Sequence, residues 1–344
     1  MIYRSAAADD AADMLRLIES HYSSGGIELL YTRRPDAYKS YQTECPDCEI
    51  TLCVNKNNRV LAQVVCMPKK VYIDGTVQRL GYVTGLHKEK DTYINLLKLL
   101  EAAHTRSVVK KHYCSILDEN KAAYDLLAKR GSIHPICDYT TYIINPAAFK
   151  HPKHSFKFRR ANLTDTDRLL AFYNDVGSGY SYFPVFETMD DFSGLTVTDF
   201  FVMEDGGEIV AAGALWNQQF YKQYIALGYH GIYKLAAYCN PLLRFLSYPL
   251  LPKINKAANI AFISFALCRK DYSDLLGALL GELAAAGRGY DFLTIGAVNG
   301  DEAAVILNAT KGIRIGSKLC VTDYDKTGHL PIYKTPPRFE CALL

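Results

Sequence analysis

Tyr113-Cys114-Ser115-Ile116-Leu117-Asp118-Glu119-Asn120-Lys121-Ala122-Ala123-Tyr124-Asp125-Leu126-Leu127-Ala128-Lys129-Arg130-Gly131 sets the frame for the rest of the chain. His112 to Leu117 is a β-rich run and reads as a strand. A helix follows from Lys121 to Lys129, and Gly131 ends it, because glycine takes the left-handed conformation of a helix C-terminus at no steric cost. Upstream, Ile94, Leu96, Leu97, Leu99, Leu100 and Ala103 make one apolar face, which predicts a helix over Thr92 to Val109. Glu49–Val54 and Val60–Met67 read as a hairpin around Asn55-Lys56-Asn57-Asn58, and a strand pair turns at Asp74-Gly75. Downstream come short strands at Ile133–Cys137 and Thr140–Ile144.

The same order recurs in the second half. Arg4-x-Ala6-x-x-x-Asp10 and Arg159-x-Ala161-x-x-x-Asp165 each end a short strand and open an apolar helical stripe, Met14, Leu15 and Ile18 in one and Leu169, Leu170 and Phe172 in the other. Strands are expected at Asp199–Met203, Glu208–Leu215, Ile260–Leu267, Phe292–Ile295 and Leu319–Tyr324, with helices at Tyr272–Ala286 and Asp301–Leu307. The polar stretch His151-Pro152-Lys153-His154 separates the copies, which puts domains at 1–150 and 151–344. Only the second copy has an insertion, the aromatic segment 216–256, read here as helical.

Composition narrows the function classes. The chain has 344 residues, 49% hydrophobic and 22% charged, enough for packed cores and unlike a disordered or coiled-coil chain. Lys+Arg number 39 against 36 Asp+Glu, split 20 against 17 in residues 1–150 and 19 against 19 beyond, so neither half offers the basic face of a nucleic-acid binder. No uninterrupted apolar run reaches membrane-spanning length, and the N-terminus lacks the pattern of a secretory signal, so a cytoplasmic protein with reduced thiols is expected. Cys45-Pro46-Asp47-Cys48 with Cys53 has no second cysteine or histidine pair nearby, and the nine histidines have no ligand spacing; no metal is expected.

A strand, two helices, three antiparallel strands, a helix, a strand, a helix and two closing strands resembles the GNAT superfamily of acyl-CoA-dependent N-acyltransferases, here in tandem. Asn120, Ala123, Lys129 and Gly131 fall at that family's spacing. The resemblance implies an α+β fold of two GNAT-like domains packed as a pseudo-dimer, each a mixed, mostly antiparallel sheet flanked by helices. It implies acetyl-CoA or another acyl-CoA as co-substrate, and an amine or peptide acceptor. The pantetheine arm would lie where the fourth and fifth strands part, and the pyrophosphate at the start of the next helix. Here that place is Thr84-Gly85-Leu86-His87-Lys88-Glu89-Lys90-Asp91-Thr92, with Asn120 beside it. Lys88 holds the family's basic position, while Asp91 and Tyr93 stand where the family has small residues.

The family's thiolate-protonating tyrosine corresponds to Leu127 in the first half and Asn308 in the second. Tyr124, almost one helical turn earlier, is the candidate acid; core packing is its plainer role. Trp216, Gln219 and Gln223 share a face if 216–223 is helical, and are read as an acceptor surface or as packing for the insertion. Two alternatives stand beside acetyl transfer: a non-catalytic binding protein that kept the fold, and an aminoacyl- or peptidyl-transferring enzyme of the same fold. The expected state is a monomeric pseudo-dimer or a homodimer.

Overall fold

The repeated Arg-x-Ala-x-x-x-Asp is a latch. Arg4 at the end of β1 (Ile2–Ser5) grips Asp10 with two bonds of 2.7 and 2.6 Å, and Asp10 accepts the Ala7 N–H at 2.8 Å. Arg159 in β8 (Lys157–Arg160) does the same to Asp165 at 2.6 and 2.8 Å, and Asp165 accepts the Asn162 N–H at 2.9 Å. Each carboxylate thus ties a strand to the turn that starts α1 (Ala11–Glu19) or α5 (Thr166–Gly177), and the adjacent guanidinium holds it below the usual carboxylate range.

The computed structural model describes every residue except 24, 129–132, 150–153, 241, 243–245, 323 and 326–332; Lys129, Gly131 and most of the linker expected at 151–154 therefore lie outside the described residues. The first half continues with β2 (Ile27–Thr32), α2 (Ala37–Glu44), β3 (Glu49–Val54), β4 (Val60–Ile73), β5 (Thr76–Lys88), α3 (Leu96–Arg106), β6 (His112–Leu117), α4 (Lys121–Ala128) and β7 (Ile133–Ile144). After β8 and α5 come β9 (Phe200–Asp205), β10 (Glu208–Trp216), β11 (Gln223–Tyr229), α6 (Ile232–Tyr238), β12 (Ile260–Cys268), α7 (Leu276–Ala286), β13 (Phe292–Val298), α8 (Glu302–Asn308) and β14 (Gly312–Thr322). Among the described residues no helix is long and apolar enough to cross a membrane.

Twelve strands form one sheet in the order β1-β3-β4-β5-β6-β14-β7-β13-β12-β10-β9-β8. The boundary at 150 divides the chain without dividing this sheet, because the closing strands are exchanged. β14 of the second half lies between β6 and β7, and β7 of the first pairs with β13, from Leu293↔Ile144 to Val298↔Tyr139. The exchange gives β6 and β13 each a neighbour from the other half, which makes the two halves one continuous sheet. α1, α2 and α5 cover one face, on Met14, Ile18 and Tyr41 in one half and Leu169, Phe172 and Phe200 in the other. α3, α4, α7 and α8 cover the opposite face through Leu99, Leu127, Leu279 and Leu307.

Three expectations change. The helix expected from Thr92 begins at Leu96, because Asn95 is the better cap and its side chain accepts the Lys98 N–H at 3.2 Å. The two strands of 133–144 are one. Residues 216–223 are not a helix: Trp216 ends β10, Asn217 folds its side chain onto the Gln219 N–H at 2.9 Å, and the chain turns into β11. β11 then pairs with β2, a strand the sequence reading missed, in a small sheet that bridges the halves.

Candidate functional site

Parallel pairing occurs twice among the described strands, and both times it fails after a few residues. β5 meets β6 at Gly81↔His112 and Tyr82↔Tyr113 only, and β12 meets β13 at Ile260↔Phe292, Ala261↔Leu293 and Phe262↔Thr294 only. Beyond these points the strands part and leave a wedge in the sheet. A bulge lies in the same place on the departing strand of each wedge. Thr84 pairs with Val65 and His87 with Gln63, so Gly85 and Leu86 are looped out. Likewise Ser264 pairs with Ala214 and Leu267 with Ala212, which loops out Phe265 and Ala266. Gly85 has φ +61°, natural for glycine, and Phe265 has φ +55°, a strained value for a bulky residue.

The two wedges differ in what fills them. In the second half, residues 338–343 enter from the α5 face. The Phe265 N–H donates to Glu340 Oε2 at 2.8 Å, Arg338 Nη2 to the Ala266 carbonyl at 2.7 Å, and Gln218 Nε2 to the Ala342 carbonyl at 2.9 Å. The bond to Glu340 explains how Phe265 keeps its strained backbone, and burial pushes the Glu340 carboxyl up to about 7. Ile260 to Leu267 are accordingly all buried. In the first half, Val83 to Lys88 are all half-exposed. Gly85 is backed by Tyr41, whose Oη would lie 2.5 Å from a Cβ placed there.

Beyond the bulge, the predicted loop residues have mixed partners. Lys88 ends β5 and reaches the Thr92 carbonyl at 3.4 Å, Lys90 lies 5.2 Å from the centre of the Tyr22 ring, and Thr92 Oγ1 donates to the Lys90 carbonyl. Glu89 is held by Arg16 and Arg59. Asp91 has φ +59° at the turn, so it adopts the backbone a small residue would take there, and Tyr93 is exposed. His87 packs against His21, 5.7 Å between ring centres; burial, with His21 and Arg33 nearby, pushes its imidazole down to about 4 and keeps it neutral. Asn120 accepts the Ala123 N–H at 3.2 Å and caps α4.

Behind Tyr41 lies a group of buried charges that the sequence reading missed. Arg33 stacks 3.8 Å over the Tyr41 ring and donates to Glu44 Oε2 at 2.7 Å. Lys222 reaches Glu44 Oε1 at 3.6 Å, and Lys69 packs alongside. These neighbouring cations hold Glu44 down at about 2 against the opposing effect of burial. The only signal in the sequence was a charge beside an apolar or aromatic run, as in Tyr31-Thr32-Arg33, Met67-Pro68-Lys69 and Tyr221-Lys222, and such charges usually mark solvated strand ends.

No protein-family model matches the chain, and no curated protein sequence matches it significantly. Solved structures do. Saccharomyces cerevisiae N-myristoyltransferase with bound myristoyl-CoA and inhibitors superposes with a TM-score of 0.63 at 10% identity, over 96% of this chain and 81% of that one. A conserved protein of Enterococcus faecalis V583 described as a probable N-acyltransferase, and a GCN5-related N-acetyltransferase from Anabaena variabilis, each give 0.54 at 9% identity over 93% of this chain and 72% of theirs. The chain has the tandem GNAT-like fold. At such identities the likeness is one of fold.

Within this GNAT-like fold the remaining candidates fall away from the first wedge. Tyr124 lines a cleft of about 380 Å³ with Asp118, Tyr139, Ser317 and Lys318, on the β14 side of β6; no β5 residue lines it. Trp216 is buried, its ring 6.2 Å from that of Phe265. Gln219 Nε2 donates to the Ala258 carbonyl at 2.6 Å, and Gln223 exchanges two bonds with the Arg34 backbone, 3.0 and 2.9 Å, clamping β11 to the end of β2. The three do not share one face. Among the described residues, no group of three His, Cys, Asp or Glu gathers to hold a metal.

Proposed function

We propose that this chain is an acyl-CoA-dependent N-acyltransferase whose acyl-CoA lies in the wedge between β5 and β6. The observation that supports this reading is the contrast between the wedges: one strand arm is half-exposed and looped at a glycine, the other is filled by the chain's own residues. The solved N-acyltransferases of the same fold, including one with myristoyl-CoA, support the class of co-substrate.

In this reading the pantetheine arm runs along Thr84 to Lys88, whose backbone has no partner on β6. The thioester carbonyl lies against the looped-out N–H groups of Gly85 and Leu86, donors fixed in place before charge develops on the oxygen. Lys88 and Lys90 stand at the pyrophosphate end, with Thr92 and Asn120 flanking it. An unprotonated acceptor amine attacks the carbonyl carbon, the C–S bond breaks, the nitrogen gives up a proton, and the thiolate of CoA takes one up. The chain acts as one pseudo-symmetric unit in which the first half holds the acyl donor and the second completes the acceptor side.

The test is calorimetric titration of the whole protein with CoA, acetyl-CoA and myristoyl-CoA. Micromolar binding of one acyl-CoA per chain, weakened at least tenfold by the double substitution Lys88→Ala and Lys90→Ala, is the expected result. No binding at millimolar ligand would overturn the reading in favour of a fold kept without its cofactor.

A further inference from the structure

Three cations are buried at the junction of the halves around one carboxylate. Arg33 and Lys222 are each under 5% exposed, as is Glu44 between them. The Lys69 ammonium is sealed from solvent and, among the described residues, has no hydrogen-bond partner; the same holds for Arg33 Nε, Gln63 Oε1 and the Tyr221 hydroxyl. The acidic side chains and phenols facing the group do not balance it. Among the described residues Glu44 is the one carboxylate that approaches the cations; burial raises the Tyr31, Tyr41, Tyr221 and Tyr224 phenols, and the Cys45 and Cys341 thiols, above their ordinary values, so they stay neutral. The same burial pushes the Lys69 and Lys222 ammoniums down, so that a bound anion would favour their charged form. A buried charge without a partner costs several kcal/mol. Three of the orphaned atoms, Lys69 Nζ, Arg33 Nε and the Tyr221 hydroxyl, can donate, which is the donor set an anion takes, while Gln63 Oε1 can only accept.

The group lies between a surface cleft and the first wedge. A cleft of about 430 Å³ between the halves, bounded by Pro68, Cys45, Pro184 and Leu343, is lined in part by Lys69 and Glu44, whose charged ends lie just behind its wall. On the inner side Arg33 stacks on Tyr41, and the Tyr41 hydroxyl, which accepts from Gln63 at 3.4 Å, abuts the bulge at Gly85. A continuous chain of packed side chains, Lys69 and Glu44, then Arg33 and Tyr41, thus links the floor of the cleft to the bulge of the first wedge.

We infer that the junction cluster is the anion subsite of the acceptor, and that the acceptor is an amine bearing a carboxylate, held by Lys69, Arg33 and Lys222. A singly charged carboxylate fits better than a phosphate dianion, because Glu44 sits among the cations and Asp47, Asp190 and Asp191 stand at the mouth, so each added negative charge is repelled. This rests on the first wedge being the reaction centre, since that is what makes the bound amine an acceptor.

The experiment uses the whole protein with acetate, inorganic phosphate and chloride as probes, read by calorimetry and by the shift in melting temperature. Acetate is expected to bind and to raise the melting temperature, with phosphate weaker and chloride inert. Lys69→Met is expected to lower acetate affinity at least tenfold while leaving acyl-CoA affinity within twofold, and Lys69→Arg to restore acetate binding to within about threefold. Should Lys69→Met fail to fold, wild-type crystals soaked in 4-bromobenzoate locate the carboxylate by the bromine signal, expected in the cleft beside Lys69. Absence of acetate binding, tighter binding of phosphate, full affinity in Lys69→Met, or bromine elsewhere would each overturn the assignment. Acetate binding at Lys69 without any acyl-CoA binding would keep the carboxylate site and end its role as an acceptor site.

Discussion

The two wedges share a plan and differ in one respect. Each has a short parallel contact, a parting of strands and a bulge two residues long, but Gly85 stands at the bulge of one and Phe265 at that of the other. With glycine, the looped backbone is relaxed and Val83 to Lys88 stay half-exposed. With phenylalanine, the same backbone is strained and is held by Glu340 from a segment that fills the gap. A repeated fold can thus keep an open wedge in one copy and turn the other into a core, and the residue at the bulge differs accordingly.

Several measurements bear on this contrast. The largest effect is expected at the latches. Arg159→Ala removes charge-assisted bonds to both Asp165, which is almost fully buried, and Glu204, leaving Arg168 as the cation that still pairs with each, so denaturant melts are expected to show a loss of about 3 kcal/mol. Arg4→Ala exposes a more accessible carboxylate and is expected to cost about half as much. Equal losses would mean that the halves are stabilised alike.

Next comes pH. Glu340 titrates near 7 when folded, above the ordinary 4.5, so folding takes up a proton between those values. Its contribution is full below about pH 4.5 and declines as the pH rises, and it is gone once the pH has passed the folded value near 7. The wild type is expected to lose on the order of 2 kcal/mol more than Glu340→Gln between pH 5 and 7.5. Parallel stability curves would remove Glu340 from the wedge's energetics.

Gly85→Ala tests the open wedge, because its Cβ meets Tyr41 Oη and its backbone lies in the left-handed region. Acyl-CoA affinity is expected to fall about tenfold, which is about 1.4 kcal/mol. An unchanged dissociation constant would place the ligand elsewhere. The smallest effect is expected from Tyr124→Phe. Its hydroxyl lines the cleft across β6, so kcat for whichever amine is acylated is expected to change by less than about threefold; a loss of a hundredfold would make Tyr124 the acid after all.

Much of the fold was legible because the repeat carries local chemistry. Arg4 and Asp10, Asn58 at a hairpin turn, and Asn120 ahead of α4 each act within a few residues of themselves, where sequence spacing reports geometry directly. The parting of strands at Thr84 to Lys88 was expected from the resemblance to the GNAT fold and not from local spacing, since it depends on β6. Features decided at a distance escaped. Nothing near β14 says that it will lie between β6 and β7, and nothing near Arg33 or Lys222 says that residues almost two hundred positions apart will meet on Glu44. Trp216, Gln219 and Gln223 do fit helical spacing, but the Asn217 side chain caps a turn there, and β2 supplies a strand partner for Gln223 to Tyr229.

The central claim is that one wedge holds acyl-CoA and the other cannot. A crystal structure of the whole protein with a non-hydrolysable acyl-CoA tests it most directly. The account predicts one ligand per chain, its pantetheine beside Thr84 to Lys88 and residues 338–343 still seated against Phe265. Ligand between β12 and β13, or no ligand at millimolar concentration, would contradict it.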